Sequence, residues 1–190
     1  MATPRDIRRL ALVGLYQLDA RRGEDADQIR ETLDETIAHS LDDEKRDDEG
    51  TLFLRPEEPF TNKDKAEAFA LATDAFGAHK AADTEFEALA PDWPPRRQAA
   101  IDRSILRLAH FEMVSGRTPP KVVVNEAVEL AKAFSTDRSP AFINGLLGKV
   151  LKRVLGAAEP APSLEGEHTD VTPLHLGGAA PGEASAEAGG

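Results

Sequence analysis

The chain has 190 residues, 41% of them hydrophobic and 5% aromatic, with no cysteine and a formal net charge of −11. That length predicts one domain, or at most two small ones, and so few aromatics predict a core of Leu, Ile, Val and Ala. The missing cysteine excludes disulfides and thiolate metal sites. With no N-terminal apolar stretch of signal-peptide type and no apolar run of spanning length, the expectation is a cytoplasmic protein without a membrane span.

The predicted elements are helices. Arg5 to Arg21 carries Ile7, Leu10, Ala11, Gly14 and Leu18 at three-to-four-residue spacing, one apolar stripe, and Gly23 supplies a stop. Residues 25–41 form a second helix with Ile29, Leu33, Ile37 and Leu41 every fourth position. Residues 42–60 are charge-rich with Gly50, Pro56 and Pro59, and read as a long loop insertion. Thr61 caps a helical region reaching to about Leu89, which Gly77 divides. The break Pro91-Asp92-Trp93-Pro94-Pro95 precedes a helix carrying Ile101, Ile105 and Leu108, ended by Gly116. Pro119-Pro120 leads into a helix from Val122 to Phe134, and Ser139-Pro140 opens a last helix to about Leu155. Residues 157–190 are Ala-, Gly-, Pro- and Glu-rich and read as a disordered acidic tail.

Charge is not spread evenly. Residues 24–60 hold fourteen acids against four bases, and the tail holds six acids and no Lys or Arg. Residues 1–23 hold five Arg against two Asp, and residues 96–156 hold eleven bases against five acids. A phosphate backbone is repelled by a uniformly acidic body, but the local field is what steers a ligand. On the first helix Arg5, Arg9 and Tyr16 share one sector, with Arg8 beside them, turned away from the apolar stripe. Guanidinium groups there suit phosphates, and a tyrosine among them suits stacking on an unpaired base. An ordinary solvated arginine face would look the same.

The most specific strings lie between residues 101 and 154. They are Ile101-Asp102-Arg103-Ser104-Ile105-Leu106-Arg107-Leu108, then Asn125-Glu126-Ala127-Val128-Glu129-Leu130-Ala131-Lys132, then Phe142-x-Asn144-Gly145. In this order and spacing they resemble the C-terminal half of NusB, a family of bacterial transcription antitermination factors. The resemblance covers roughly residues 5–155. It implies an all-α NusB-like fold of about seven helices in two packed bundles, occupying residues 1–156.

The resemblance also implies a role. NusB proteins bind a short single-stranded boxA-like RNA of ribosomal RNA leaders together with the ribosomal protein NusE, and the complex acts on RNA polymerase. It makes the arginine helix (Arg5, Arg8, Arg9, Tyr16) one RNA surface. The Pro119-Pro120-Lys121 turn, Asn125, Arg138, Ser139 and Phe142 would form a second. Helix N-termini there offer backbone N–H groups to anions, and Arg138 stands where some family members carry an acid. Helix capping and a buried Phe142 would explain the same residues, and Asn144-Gly145 could serve close helix packing. Asp102 and Arg103 are placed by the resemblance near the NusE interface, although an acid at a helix start also suits the macrodipole. Asp6 interrupts the arginine cluster and so weighs on RNA affinity.

Catalytic readings find no support. The five histidines are scattered without a His-Glu-x-x-His pair, no Gly-x-Ser-x-Gly elbow exists, and Gly145 to Lys149 lies inside a helix and lacks P-loop spacing. No cofactor is expected. Two alternatives stand beside the antitermination reading. One is a detached RNA-targeting module akin to that of ribosomal RNA cytosine methyltransferases. The other is a purely protein-binding helical scaffold. Homodimer formation over the same surface is left open.

Overall fold

The computed structural model describes residues 2–40, 56 and 58–158. The expected insertion at 42–60, apart from 56 and 58–60, and the expected tail from 159 onward lie outside the described residues.

Among the described residues the chain forms seven α-helices and no strand. They are α1 (Pro4–Ala20), α2 (Ala26–Ser40), α3 (Asn62–Gly77), α4 (His79–Leu89), α5 (Ala100–Ser115), α6 (Pro120–Phe134) and α7 (Ser139–Ala158). One bundle is α1, α2 and α3; the other is α5, α6 and α7, with α4 laid along α5 and α7. Pro95 opens a short 3-10 turn (Pro95–Arg97) rather than α5 itself, which begins at Ala100.

The ends of these helices follow from side-chain chemistry. Thr61 and Asp64 form a reciprocal capping box at the start of α3, and Thr3 and Asp6 form the same box at the start of α1. In each, the threonine oxygen accepts from the N3 amide and the aspartate accepts from the cap amide, satisfying two otherwise orphaned donors. Asp6 is therefore a structural part of the arginine helix and not an intruder in it. Gly116 ends α5 with φ +68, a left-handed conformation that a Cβ would strain.

Helix α1 is buried on two sides, wider than its predicted stripe. The stripe with Gly14 meets α3, and a Cβ on Gly14 would lie 3.2 Å from the Ala72 Cβ and 3.3 Å from the Leu33 Cδ1. A second line, Arg8, Leu12, Leu15 and Asp19, follows the same helical spacing and faces α5. Leu12 and Leu15 are fully buried, Arg8 bonds Glu112, and Asp19 bonds Arg103 and Arg107.

Helix α5 is the centre of the structure. It packs on α1, α3, α4, α6 and α7, and Ser104 to His110 are buried without a gap. Burying a charge there requires a partner. Arg107, 5% exposed, donates from Nε and Nη2 to Asp83 at 2.8 and 2.6 Å and from Nη1 to Asp19 at 2.6 Å. Burial pushes the Asp19 carboxyl up, but the hydrogen bonds from Arg103 and Arg107 outweigh it and hold it below its ordinary value. At Glu85 burial likewise pushes up, while Arg153 and His110 bring the carboxyl below normal. Asp64 is held down chiefly by the Thr61 amide.

Two predictions follow from this framework. Arg107→Met leaves Asp19 and Asp83 without their shared cation. Since both are partly hydrated, the expected loss is about 3 kcal/mol, the low end for breaking a buried pair, read as a lower urea midpoint. A loss under about 0.5 kcal/mol would show the hub to be dispensable. For pH, carboxyls depressed in the folded state contribute stability that is present above their unfolded pKa of about 4. That stability is lost as the pH falls through their lower folded values. Urea titrations should therefore find no decline attributable to Asp19, Glu85 and Asp64 between pH 7 and 5, and a steep decline below about pH 4. A collapse complete by pH 5.5 would contradict the assignment.

Candidate nucleic-acid interface

The buried pairs on α5 also set the direction of its neighbours. Arg8, near the start of α1, meets Glu112 near the end of α5, and Asp19, near the end of α1, meets Arg103 and Arg107. Ser135, just after α6, donates to Asp102 at the start of α5. Both α1 and α6 thus run antiparallel to α5, and therefore in the same direction as each other. The first turn of α1 reaches the middle of α6: Arg5 donates from Nε and Nη2 to Glu126 at 2.9 and 2.8 Å. Between them opens a cleft whose lining includes Arg5, Asp6, Arg8, Arg9, Val122 and Glu126.

Of the expected RNA-facing residues, Arg5, Arg8 and Arg9 line this cleft, and Lys121 and Asn125 lie outside its lining. Arg5 is on the lip with its side chain 47% exposed. Arg9 is half-buried and lies 3.7 Å from Asp6. Lys121 and Asn125 are exposed, one turn apart at the start of α6. Tyr16 is 43% exposed and, eleven residues beyond Arg5 at about 1.5 Å per residue, projects from the same sector of α1 toward the other end of the seam. Arg138 is exposed in the α6–α7 turn at that far end. Among the described residues neither Lys121 nor Arg138 has an ion-pair partner.

Other expectations are corrected by the geometry. Arg8 does not lie on the solvent sector. It is 8% exposed, with its Nε 3.0 Å from both oxygens of Glu112 and its Nη2 donating to Thr118 at 3.0 Å. Its place in the Leu12/Leu15 line turns it inward. Ser139 is buried, and its hydroxyl donates to Asp102 Oδ2 at 2.9 Å. Asp102 itself is 9% exposed, with its other oxygen taken by Ser135 at 2.6 Å. That carboxylate latches the α6–α7 turn onto α5 and is not presented outward. Arg103 is spent on Asp19 and the Pro95 carbonyl. Phe142 is half-buried, with its ring packed against the core. A Cβ at Gly145 would meet nothing within 4 Å, so no close helix approach explains Asn144-Gly145.

Electrostatically the cleft is mixed. The hydrogen bond from Arg5 is the main reason the Glu126 carboxyl sits below its ordinary value, against the opposing effect of burial, with Arg8 and Arg9 adding to it. The same bond raises the Arg5 guanidinium, and Glu129 and Asp6 contribute. The sequence reading missed this pairing, whose only trace was an acid inside the Asn125-Glu126-Ala127 string. It also missed an exposed aromatic at the start of α5: Trp93, 46% exposed, with the Arg97 guanidinium 4.9 Å from its ring centre. The chain's single tryptophan, set among prolines and followed by two arginines, was the available signal.

His110 is buried edge-on to Phe86, with Nε2 2.9 Å from Glu85, and among the described residues no cluster of His, Asp and Glu could hold a metal. No helix among the described residues is long and apolar enough to cross a membrane.

Comparison with known proteins agrees with the fold. The NusB family model matches residues 5–152. The transcription antitermination protein NusB of Roseiflexus sp. (strain RS-1) is 35% identical over 155 residues, which are 78% of this chain and 92% of that protein. The T. maritima NusB structure aligns with a TM-score of 0.58 at 28% identity, covering 80% of this chain and 93% of that one. A chain of the crystal structure of antitermination factors NusB and NusE in complex with dsRNA shares the fold. Its TM-score is 0.58 at 21% identity, over 78% of this chain and 96% of that one. Matched by the family model across its helical part, the chain belongs to the NusB family, whose members are named for transcription antitermination and not for catalysis.

Proposed function

We propose that this protein binds a single-stranded boxA-like segment of ribosomal RNA leaders along the α1–α6 seam. NusE joins it in the cytoplasm, and the complex acts on RNA polymerase to carry it through terminators. The observation that carries this reading is the shared direction of α1 and α6. It sets Arg5, Arg9 and Tyr16 on one rail and Lys121, Asn125 and Arg138 on or just beyond the other. A strand laid between them meets cations for its phosphates and one exposed phenol ring for a base. Arg8 supports the surface from beneath, by fixing the start of α1 against α5, and does not itself contact RNA.

The partner surface is best sought at the start of α5. Exposed Trp93 with its stacked Arg97 is the aromatic-plus-arginine pairing enriched in interface centres, and it adjoins Arg103 through the Pro95 carbonyl. NusB and NusE occur together with dsRNA in a solved structure of this fold, which supports the pairing with NusE here.

Filter-binding or anisotropy titrations of a labelled leader RNA, at several salt concentrations, test the RNA surface. Arg9→Ala and Lys121→Ala should each weaken binding and lower the slope of log affinity against log salt by about 0.7, the share of one single-strand phosphate contact, with thermal stability unchanged. Unaltered affinity in both variants would remove the seam as the RNA site. Arg8→Met should instead leave Glu112 buried and unpaired, and lower stability by about 3 kcal/mol in urea unfolding. An Arg8→Met protein of wild-type stability with reduced RNA affinity would reverse the role given to Arg8.

A further inference from the structure

We propose that Glu126 holds the phosphate position of Arg5 while the protein is free of RNA, and that RNA must displace this carboxylate to bind. The inference rests on the reading of the α1–α6 seam as the RNA surface, and gives that surface an internal competitor.

The geometry is that of a ligand mimic. Two parallel N–H donors of Arg5 meet the two carboxylate oxygens of Glu126 at 2.9 and 2.8 Å. This is the fork arrangement by which arginine takes a phosphate. The two side chains differ in access. Glu126 is only 13% exposed, rising from the floor of the cleft, whereas Arg5 is 47% exposed on its lip. A phosphate arriving from solvent therefore reaches the guanidinium from outside but finds the Nε edge filled.

The surroundings offset that carboxylate only in part, through Arg8 and Arg9. Arg8 is already satisfied by Glu112, and Arg9 shares its charge with Asp6. Glu129 also acts on Arg5. The cleft thus balances Arg5 and Arg9 against Asp6, Glu126 and Glu129, so it offers a phosphate little attraction while Glu126 is in place. Once displaced, Glu126 still faces Arg9, which limits the cost of opening the pair. An exposed ion pair of this kind contributes little on its own, so a phosphate that brings several contacts at once can compete for the fork. A different arrangement would leave Glu126 in place as a brace, with the phosphate on the free Nη1 edge of Arg5. The two arrangements predict opposite effects of neutralising Glu126.

Fluorescence anisotropy of a labelled single-stranded boxA-like RNA oligonucleotide, with the full chain, separates them. Glu126→Gln keeps the shape and removes the charge. Displacement predicts binding about two- to fivefold tighter than wild type, the scale of one exposed charge pair. The gain should vanish in the Arg5→Ala background, and Glu129→Gln should yield less. A Glu126→Gln protein that binds equally or more weakly overturns the inference. As a second readout independent of variants, the Arg5 Nε–H resonance of the wild-type protein should shift on RNA addition, and an unmoved resonance at saturation also overturns it. If the wild-type chain binds no RNA, the RNA reading itself fails and the inference falls with it. If wild type binds and Arg9→Ala and Lys121→Ala weaken it while Glu126→Gln brings no gain, only the displacement is lost.

Discussion

The structure depends on charges that α5 carries into the interior. Asp102, Arg107 and Glu112 are buried charges, and the His110 ring is buried beside them; each is partnered from a neighbouring element, Asp102 from the α6–α7 turn and the start of α7, Arg107 from α1 and α4, His110 from α4, and Glu112 from α1. Apolar packing alone would let these helices slide or rotate by a residue at modest cost. A buried carboxylate or guanidinium tolerates no such slip, because losing its partner leaves an uncompensated charge in a poor solvent for it. The pairs therefore fix how far along α5 each neighbour sits, and the apolar residues fill the space so defined.

That constraint explains why adjacent arginines differ. Arg8 and Arg9 are neighbours in sequence, but a helix turns about 100° between them. One points down onto Glu112 and anchors α1, while the other is left at the edge of the cleft. Because α1 is pinned at both ends, by Arg8 and by Asp19, its outer sector is presented at a fixed angle to α6. The surface residues inherit their placement from buried ones. Among the described residues Lys121 and Arg138, before and after the body of α6, have no ion-pair partner.

Much of the fold could be read from the amino acids alone. Gly77 divides α3 from α4, and Gly116, the Thr61 cap and the first-turn Pro140 mark helix limits through local backbone chemistry. The site was less legible. Placing Arg8 outward followed the single stripe of Ile7, Leu10 and Leu18. The second stripe, Leu12 and Leu15 with Arg8 and Asp19 at either end, was present in the spacing but broke the rule that charged residues face water. Asp102 and Ser139 were read as surface groups for the same reason: their mutual hydrogen bond spans 37 positions, and no local signal announces such a contact. The Arg5–Glu126 pair, 121 positions apart, is hidden in the same way.

The central claim is that RNA lies along the seam between α1 and α6. Amide chemical-shift mapping of the full chain against a boxA-like RNA tests it most directly. The account predicts shifts concentrated at Arg5, Arg9 and Tyr16 on one helix, and at Lys121, Asn125 and Arg138 on and just beyond the other. The α2–α3 face around Arg30 and Lys65 should stay unaffected. Shifts centred on that α2–α3 face, with the seam residues unmoved at saturation, would contradict it.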